Sequence, residues 1–192
     1  MAKLRKGEHV ILAYEDSNYA RGIEFGIIQD GLQKGEYCVY SSVFDEPQEI
    51  ERKMELFGID VKEYKERNLF RAMKLSASPG VNANEQEREE LRKIVFPDDP
   101  KRIPFRLVGR LFPIELFSPS QLRDNLRVER GMQNSFTGQE GIAVCSYYTK
   151  NLTSLHYEAS SLRYEWFLGI LKAHDVAVFA PSPGRGAAFH MG

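Results

Sequence analysis

Six short apolar runs recur along this chain: HVILAY (9–14), YCVYSSV (37–43), LFRAMKLSA (69–77), FRLVGRLF (105–112), IAVCSYY (142–148) and DVAVFAP (175–181). Runs of this length, apolar at nearly every position, suit strands that are covered on both faces. The segments between them are too long for hairpins, and most carry a helical repeat. In the first, Ala20, Ile23 and Ile27 form one apolar row, and Phe25, Ile28 and Leu32 form the row beside it. That stripe is broad enough to lie flat on a sheet. Gly22 and Gly26, one turn apart, are expected to let the helix approach closely, and "GLQKGE" ends it. A second helix over about 46–57 carries Ile50, Met54 and Phe57 and stops at Gly58. Further helices are expected from Ser118 or Ser120 to about Phe136, and around Leu162, Trp166, Phe167, Ile170 and Leu171. Strands alternating with helices through short connections imply a parallel sheet with right-handed crossovers. The expected class is α/β: three layers, with a mostly parallel sheet flanked by helices.

A chain of 192 residues, 42% apolar and 28% charged, has the size and composition of one soluble globular domain with a real core. Its formal net charge is −1, with both signs mixed throughout, so it lacks the clustered basic excess of a nucleic-acid footprint. The opening residues MAKLRKGEH are basic, but the apolar run after them is too short for a signal-peptide core or a membrane span. The expectation is a cytoplasmic protein that contacts neither membrane nor nucleic acid. Cys38 and Cys145 sit inside strands and make no disulfide framework. There is no CxxC or HExxH spacing and the four histidines are scattered, so neither a metal site nor a cofactor is expected.

Residues 78–104 break the pattern. Four prolines flank a charged stretch with few apolar anchors, which reads as a loop, a polar surface helix and another loop. This polar insertion is the natural candidate for a mobile lid, although a solvated excursion is the commoner meaning. The domain is expected to span 1–181, with 182–192 (SPGRGAAFHMG from Ser182) as a flexible tail.

The turn after the first strand, Tyr14-Glu15-Asp16-Ser17-Asn18, stands where many α/β proteins hold a phosphate. A phosphate loop needs glycines, so that consecutive N–H groups can point inward, together with a lysine and a hydroxyl. This turn has neither glycine nor lysine. Two like charges about 4 Å apart repel by roughly 4 kcal/mol at an effective dielectric near 20. A helix N-terminus favours an anion by only about 1 kcal/mol. Repulsion wins, and Asp16 is better placed to serve that helix terminus as its own anion.

Several segments, in order, resemble the MEDS domain, the sensory module of DcmR-type regulators. They are HVILAYEDSNYARGIEF from His9, GLQKGEYCVY (31–40), LFGIDVKEY (56–64), RLVGRLFPIEL (106–116), LRVERGMQNSF (126–136), AVCSYYTKNL (143–152) and LKAHDVAVFA (171–180). The resemblance implies a KaiC/RecA-like fold without a functional phosphate loop. It also implies a non-catalytic sensor of small organic molecules, such as simple hydrocarbon derivatives, that signals to an attached output domain. The sequence departs from the family where Tyr148 stands in place of an acid after Cys145-Ser146-Tyr147. It also lacks a tryptophan near Phe112-Pro113-Ile114, and it has Val128 in place of an aromatic beside Glu129. The departures bear on the ligand more than on the fold. No output segment is apparent, so the expected partners are a small organic ligand and a downstream signalling protein or a second copy of the chain. The rival readings are a divergent RecA/KaiC-like ATPase, a thiol-dependent enzyme using Cys145, and an assembly module with no ligand.

The candidate ligand-binding residues are Tyr14, Glu15, Asp16, Arg110, Glu129, Cys145 and Tyr147. The first three lie at the carboxyl end of a strand, where open α/β sheets bind ligands. Cys145 and Tyr147 are two apart and share a strand face, either lining a pocket or packing the core. Glu129 borders an apolar helical row and needs a partner, for which Arg106, Arg110 and His174 are available. Arg110 interrupts an apolar strand, pointing into the site or out to solvent. His9, at the opposite end of the sheet, and His174, at the end of the last helix, are expected to be structural. No Ser-His-Asp or Cys-His pairing is visible, and no residue is assigned to catalysis.

Overall fold

A computed structural model describes residues 4–77, 85–95, 104–111, 113, 117–136, 138–149 and 160–180. The apolar runs form β1 (His9–Tyr14), β2 (Tyr37–Ser42), β3 (Phe70–Lys74), β4 (Phe105–Arg110), β5 (Gly141–Tyr148) and β6 (Val176–Ala180). They make one sheet in the order β3-β2-β4-β5-β1-β6, and every pairing is parallel. The helices between them are α1 (Ser17–Gln33), α2 (Pro47–Leu56), α3 (Val61–Glu66), α4 (Glu85–Val95), α5 (Pro119–Phe136) and α6 (Ser160–Lys172).

Strand alternation divides the core in two. Val10, Leu12 and Tyr14 of β1 join Phe25, Ile28 and Leu32 of α1 and Ile50 and Met54 of α2 in one apolar cluster. Ile11 of β1 joins Leu122 of α5 and Trp166 and Ile170 of α6 in another. Three layers result. Each large side chain that α1 buries contributes about 1.5–3 kcal/mol, which makes that helix the main cover of its face. Asp16 starts it, accepting from the N–H groups of Asn18 (2.9 Å) and Tyr19 (2.7 Å).

The expected close approach of α1 is made elsewhere than Gly22 and Gly26. A Cβ at either of those glycines would meet nothing within 4 Å. The tight contact is at Gly31, where a Cβ would fall 2.6 Å from Arg106 Cδ and 2.7 Å from Cys38 Sγ. Arg106, buried beneath the end of the helix, bonds Asp30 (2.6 Å), Glu36 and the Ile27 carbonyl (2.9 Å). The short helix α3 is an addition to the expected plan. Its Asp60 cap accepts from Glu63 N–H, and Val61 is its one buried residue. Within 78–104, α4 forms as expected, and its Glu90 is bridged to Arg71 of the edge strand β3 at 2.9 Å. Residues 78–84 and 96–103, and the tail, lie outside the described residues.

Candidate functional site

Two buried polar clusters occupy opposite faces of the sheet, and both draw on β1. The first lies between β1, β5, α5 and the end of α6. β1 pairs with β5 so that His9 faces Ala143 and Ile11 faces Cys145, which puts the His9 and Cys145 side chains on one face, at the start of β1 and the middle of β5. Glu129 reaches them from α5, and His174 reaches them from just beyond α6. The contacts are His9 Nε2 to Cys145 Sγ at 3.4 Å, His9 Nε2 to Glu129 Oε2 at 3.5 Å, His174 Nε2 to Glu129 Oε2 at 3.6 Å, and Cys145 Sγ to Glu129 Oε2 at 3.6 Å. The two imidazoles stack with centroids 3.9 Å apart. His9 and Glu129 are completely buried, and Cys145 and His174 nearly so.

An outer ring fixes this group. Tyr147 donates its hydroxyl hydrogen to Glu129 Oε1 and accepts from Asn125 Nδ2 at 3.0 Å. Trp166 Nε1–H donates to Asn125 Oδ1 at 2.9 Å, and the Trp166 ring meets Tyr147 edge-on at 5.3 Å. Asp175 accepts from His9 N–H at 2.9 Å and from Gln133 Nε2 at 2.7 Å. Burial dominates the proton chemistry here. It lowers His9 to about 3, with His174 adding to the effect. It raises Glu129 against the opposing influence of His174 and Tyr147. It also pushes the Cys145 thiol well up, and the Glu129 charge pushes it further. Burial of both groups disfavours the thiolate–imidazolium form of the Cys145–His9 pair.

The second cluster lies under α1 at the carboxyl ends of the strands. Arg110, the last residue of β4, donates from Nη1 to Glu24 Oε2 at 2.9 Å and from Nη2 to the Ser17 carbonyl at 3.1 Å and the Ser17 hydroxyl. Tyr40 donates to the same Glu24 oxygen at 2.6 Å, and the guanidinium lies 4.9 Å from the centre of the Tyr14 ring. Burial opposes the charge on Arg110, yet Glu24 holds its pKa above the usual value. Beside this cluster, Asn18, Arg21, Gly22, Phe25, Lys53, Leu56 and Phe57 line an open groove of about 350 Å³. Arg21 and Lys53 both bridge Asp45 there, at 3.0 and 2.7 Å.

Residues 8–157 match the sequence profile described as MEthanogen/methylotroph, DcmR Sensory domain (MEDS). The chain belongs to the MEDS family. Its fold is similar to that of a KaiC-like protein from the hyperthermophilic archaeon Pyrococcus horikoshii OT3, with a TM-score of 0.53 at 17% identity over 74% of this chain. This MEDS chain spans only 62% of that protein. It is also similar to a second solved structure, described as an ATPase domain, with a TM-score of 0.62 at 9% identity over 91% of this chain and 70% of the other. A search of curated proteins returned no significant match. These likenesses establish a KaiC/RecA-like fold.

The MEDS fold separates the candidate residues read from sequence. Glu129, Cys145 and Tyr147 meet in the first cluster. Tyr14 and Arg110 meet in the second, with Glu15 and Asp16 at its rim. Of the three partners offered to Glu129, His174 is the one in contact, while Arg106 and Arg110 pair with other acids. Arg110 points inward. His9, set apart in the sequence because it begins the first strand, lies against Cys145. The scattered histidine spacing that argued against a metal site is no obstacle in three dimensions, because β1, α5, β5 and the end of α6 each supply one donor. Sequence reasoning missed Glu24 as a site residue. Its signal was an acid four residues from both Ala20 and Ile28, on the apolar face of α1. Nothing in the sequence pointed to Tyr40 or Asn125. Among the described residues, no helix is long and apolar enough to cross a membrane.

Proposed function

We propose that this chain is a non-catalytic, cytoplasmic sensor domain that binds a small organic molecule and passes the signal to a partner protein or a second copy. The observation that carries the reading is the first turn of α1 in a chain of a family described as sensory. The Asp16 carboxylate already occupies the anion position at the helix N-terminus, taking the Asn18 and Tyr19 N–H groups. A triphosphate would have to displace an anion that is covalently part of the loop, and the turn supplies no lysine to receive it. On this reading the phosphate-binding role of the fold is given up and a different ligand is taken near the carboxyl ends of the strands. The groove beside that mouth, floored by Phe25 and Phe57 with Arg21 and Lys53 at its edge, has the volume of a small-ligand site and suits a small, partly polar organic molecule.

The test is a thermal-shift screen of nucleotides against small alcohols, carboxylic acids and halocarbons, repeated on Phe57→Ala. Stabilisation by a member of the organic set, lost in Phe57→Ala, supports the reading. Stabilisation by ATP with Mg²⁺ overturns it in favour of a divergent ATPase. Silence across the panel from a defined oligomer overturns it in favour of an assembly module.

A further inference from the structure

The first cluster has an electrostatic composition that proteins rarely bury without reason. Each imidazole has its Nδ1 against a backbone carbonyl, His9 on Ala173 O at 3.1 Å and His174 on Ile170 O at 2.7 Å. A carbonyl can only accept, so in the neutral rings Nδ1 carries the hydrogen and Nε2 presents a lone pair. Both lone pairs point toward Glu129 Oε2, itself an acceptor when ionised. His174 Nε2 is buried with no hydrogen-bond partner. The four donor atoms of His9, Glu129, Cys145 and His174 all lie within 4.8 Å of one another. Two imidazole lone pairs, a carboxylate oxygen and a sulfur converging among buried side chains call for a cation among them.

We propose that His9, Glu129, Cys145 and His174 form a closed, four-ligand site for a divalent transition metal of the zinc class. Metal–nitrogen and metal–oxygen bonds of about 2.0–2.2 Å and a metal–sulfur bond of about 2.3 Å give tetrahedral edges of about 3.3–3.6 Å. Four of the six ligand pairs lie 3.4–3.6 Å apart, and all six lie within 4.8 Å. Softness selects the ion: thiolate and imidazole favour zinc, cobalt or iron(II) over magnesium or calcium. The surrounding bonds are those of a metal site. Backbone carbonyls fix both imidazole tautomers, and Tyr147 takes Glu129 Oε1, leaving Oε2 for the ion. With four protein ligands, all buried, no coordination position remains for water or substrate, so the site is structural. It ties the start of β1, the middle of β5, α5 and the end of α6 together, and binding couples directly to folding. On binding, the Cys145 thiol proton and any proton carried by Glu129 leave to solvent, and the two imidazoles bind through Nε2 as neutral ligands.

Metal-depleted protein titrated with cobalt(II) tests this. Saturation at one equivalent, with a thiolate-to-cobalt charge-transfer band and intense visible ligand-field bands, is the expected result, together with a rise in melting temperature. Cys145→Ala abolishes the charge-transfer band, and Cys38→Ala leaves it intact. If Cys145→Ala fails to fold, zinc-edge X-ray absorption on the wild-type protein decides, with one sulfur and three nitrogen or oxygen neighbours expected. The proposal is overturned by a fully folded protein that takes up no cobalt or zinc, by a band that follows Cys38, or by a zinc shell without sulfur. A protein without the metal would hold the cluster by shared protons alone. Neither result bears on the groove ligand, so the two proposals fail separately.

Discussion

Arg110→Met removes the guanidinium that faces Glu24 beneath α1, while methionine keeps much of the buried volume. Arg110 is 1% exposed and Glu24 is not exposed at all. The change leaves the Glu24 carboxylate with the Tyr40 hydroxyl at 2.6 Å, and its other oxygen, Oε1, already has no hydrogen-bond partner. Stranding one member of a buried pair costs about 3–5 kcal/mol, against a total stability of about 5–15 kcal/mol for a domain. At roughly 2–4 °C per kcal/mol for a chain of this size, the melting temperature should fall by about 6–20 °C. Removing the partner as well, in Arg110→Met with Glu24→Leu, takes away the stranded charge and should recover most of that loss. Urea unfolding followed by far-ultraviolet circular dichroism on the four proteins of this cycle gives the coupling directly. A single-variant loss below about 1 kcal/mol, or a double variant that loses as much as the two singles added, would refute the view that this pair is electrostatically isolated from solvent.

Gly31→Ala should destabilise by about 1–3 kcal/mol, because the added methyl would overlap Arg106 and Cys38, which are held by their own bonds. Gly22→Ala and Gly26→Ala, opening onto free space, should instead stabilise by up to about 1 kcal/mol in the same urea assay. Asp45 gives a pH signature. Burial works against its ionisation, but the bonds from Lys53 and Ser42 and the charge of Arg21 outweigh it and hold its pKa below the ordinary value. A depressed acid contributes stability that is present above the unfolded value near about 4 and lost as pH falls through the folded one. The advantage of wild type over Asp45→Asn in urea should therefore be full at neutral pH and shrink progressively in acid. Burial pushes the Cys38 thiol up to about 12, so iodoacetamide at mildly alkaline pH should leave it unlabelled in the folded protein and label it in urea, as read by peptide mass spectrometry.

The strands were legible because HVILAY and its counterparts are apolar at positions facing both layers, a pattern that needs no partner to be seen. The α1 start was legible for a similar reason: an Asp before a helical repeat acts locally. Strand order was not legible, and with it went the two clusters. His9 meets Cys145 only because β5 inserts beside β1, and no residue in either segment announces that neighbour. The split of the candidate residues has the same origin. Tyr14 and Cys145 belong to strands that touch, but their side chains leave the sheet in opposite directions. Helix α3 escaped notice because a single buried valine makes no periodic stripe. Gly22 and Gly26 misled because small residues at helical spacing signal contact only when a neighbour lies over them.

β1 carries His9 for one cluster and Tyr14 for the other within six residues. The strand is thereby keyed on both sides, like a blade cut along both edges. Sliding it by one position would turn the imidazole away from Glu129 and Cys145 into the apolar layer under α1 and swing the phenol ring away from Arg110, so both clusters would lose a member at once. An all-apolar central strand could settle in several alignments of nearly equal energy. This one has a single alignment that seats both rings in their polar clusters, and the two polar knots serve as proofreaders of assembly whatever else they bind.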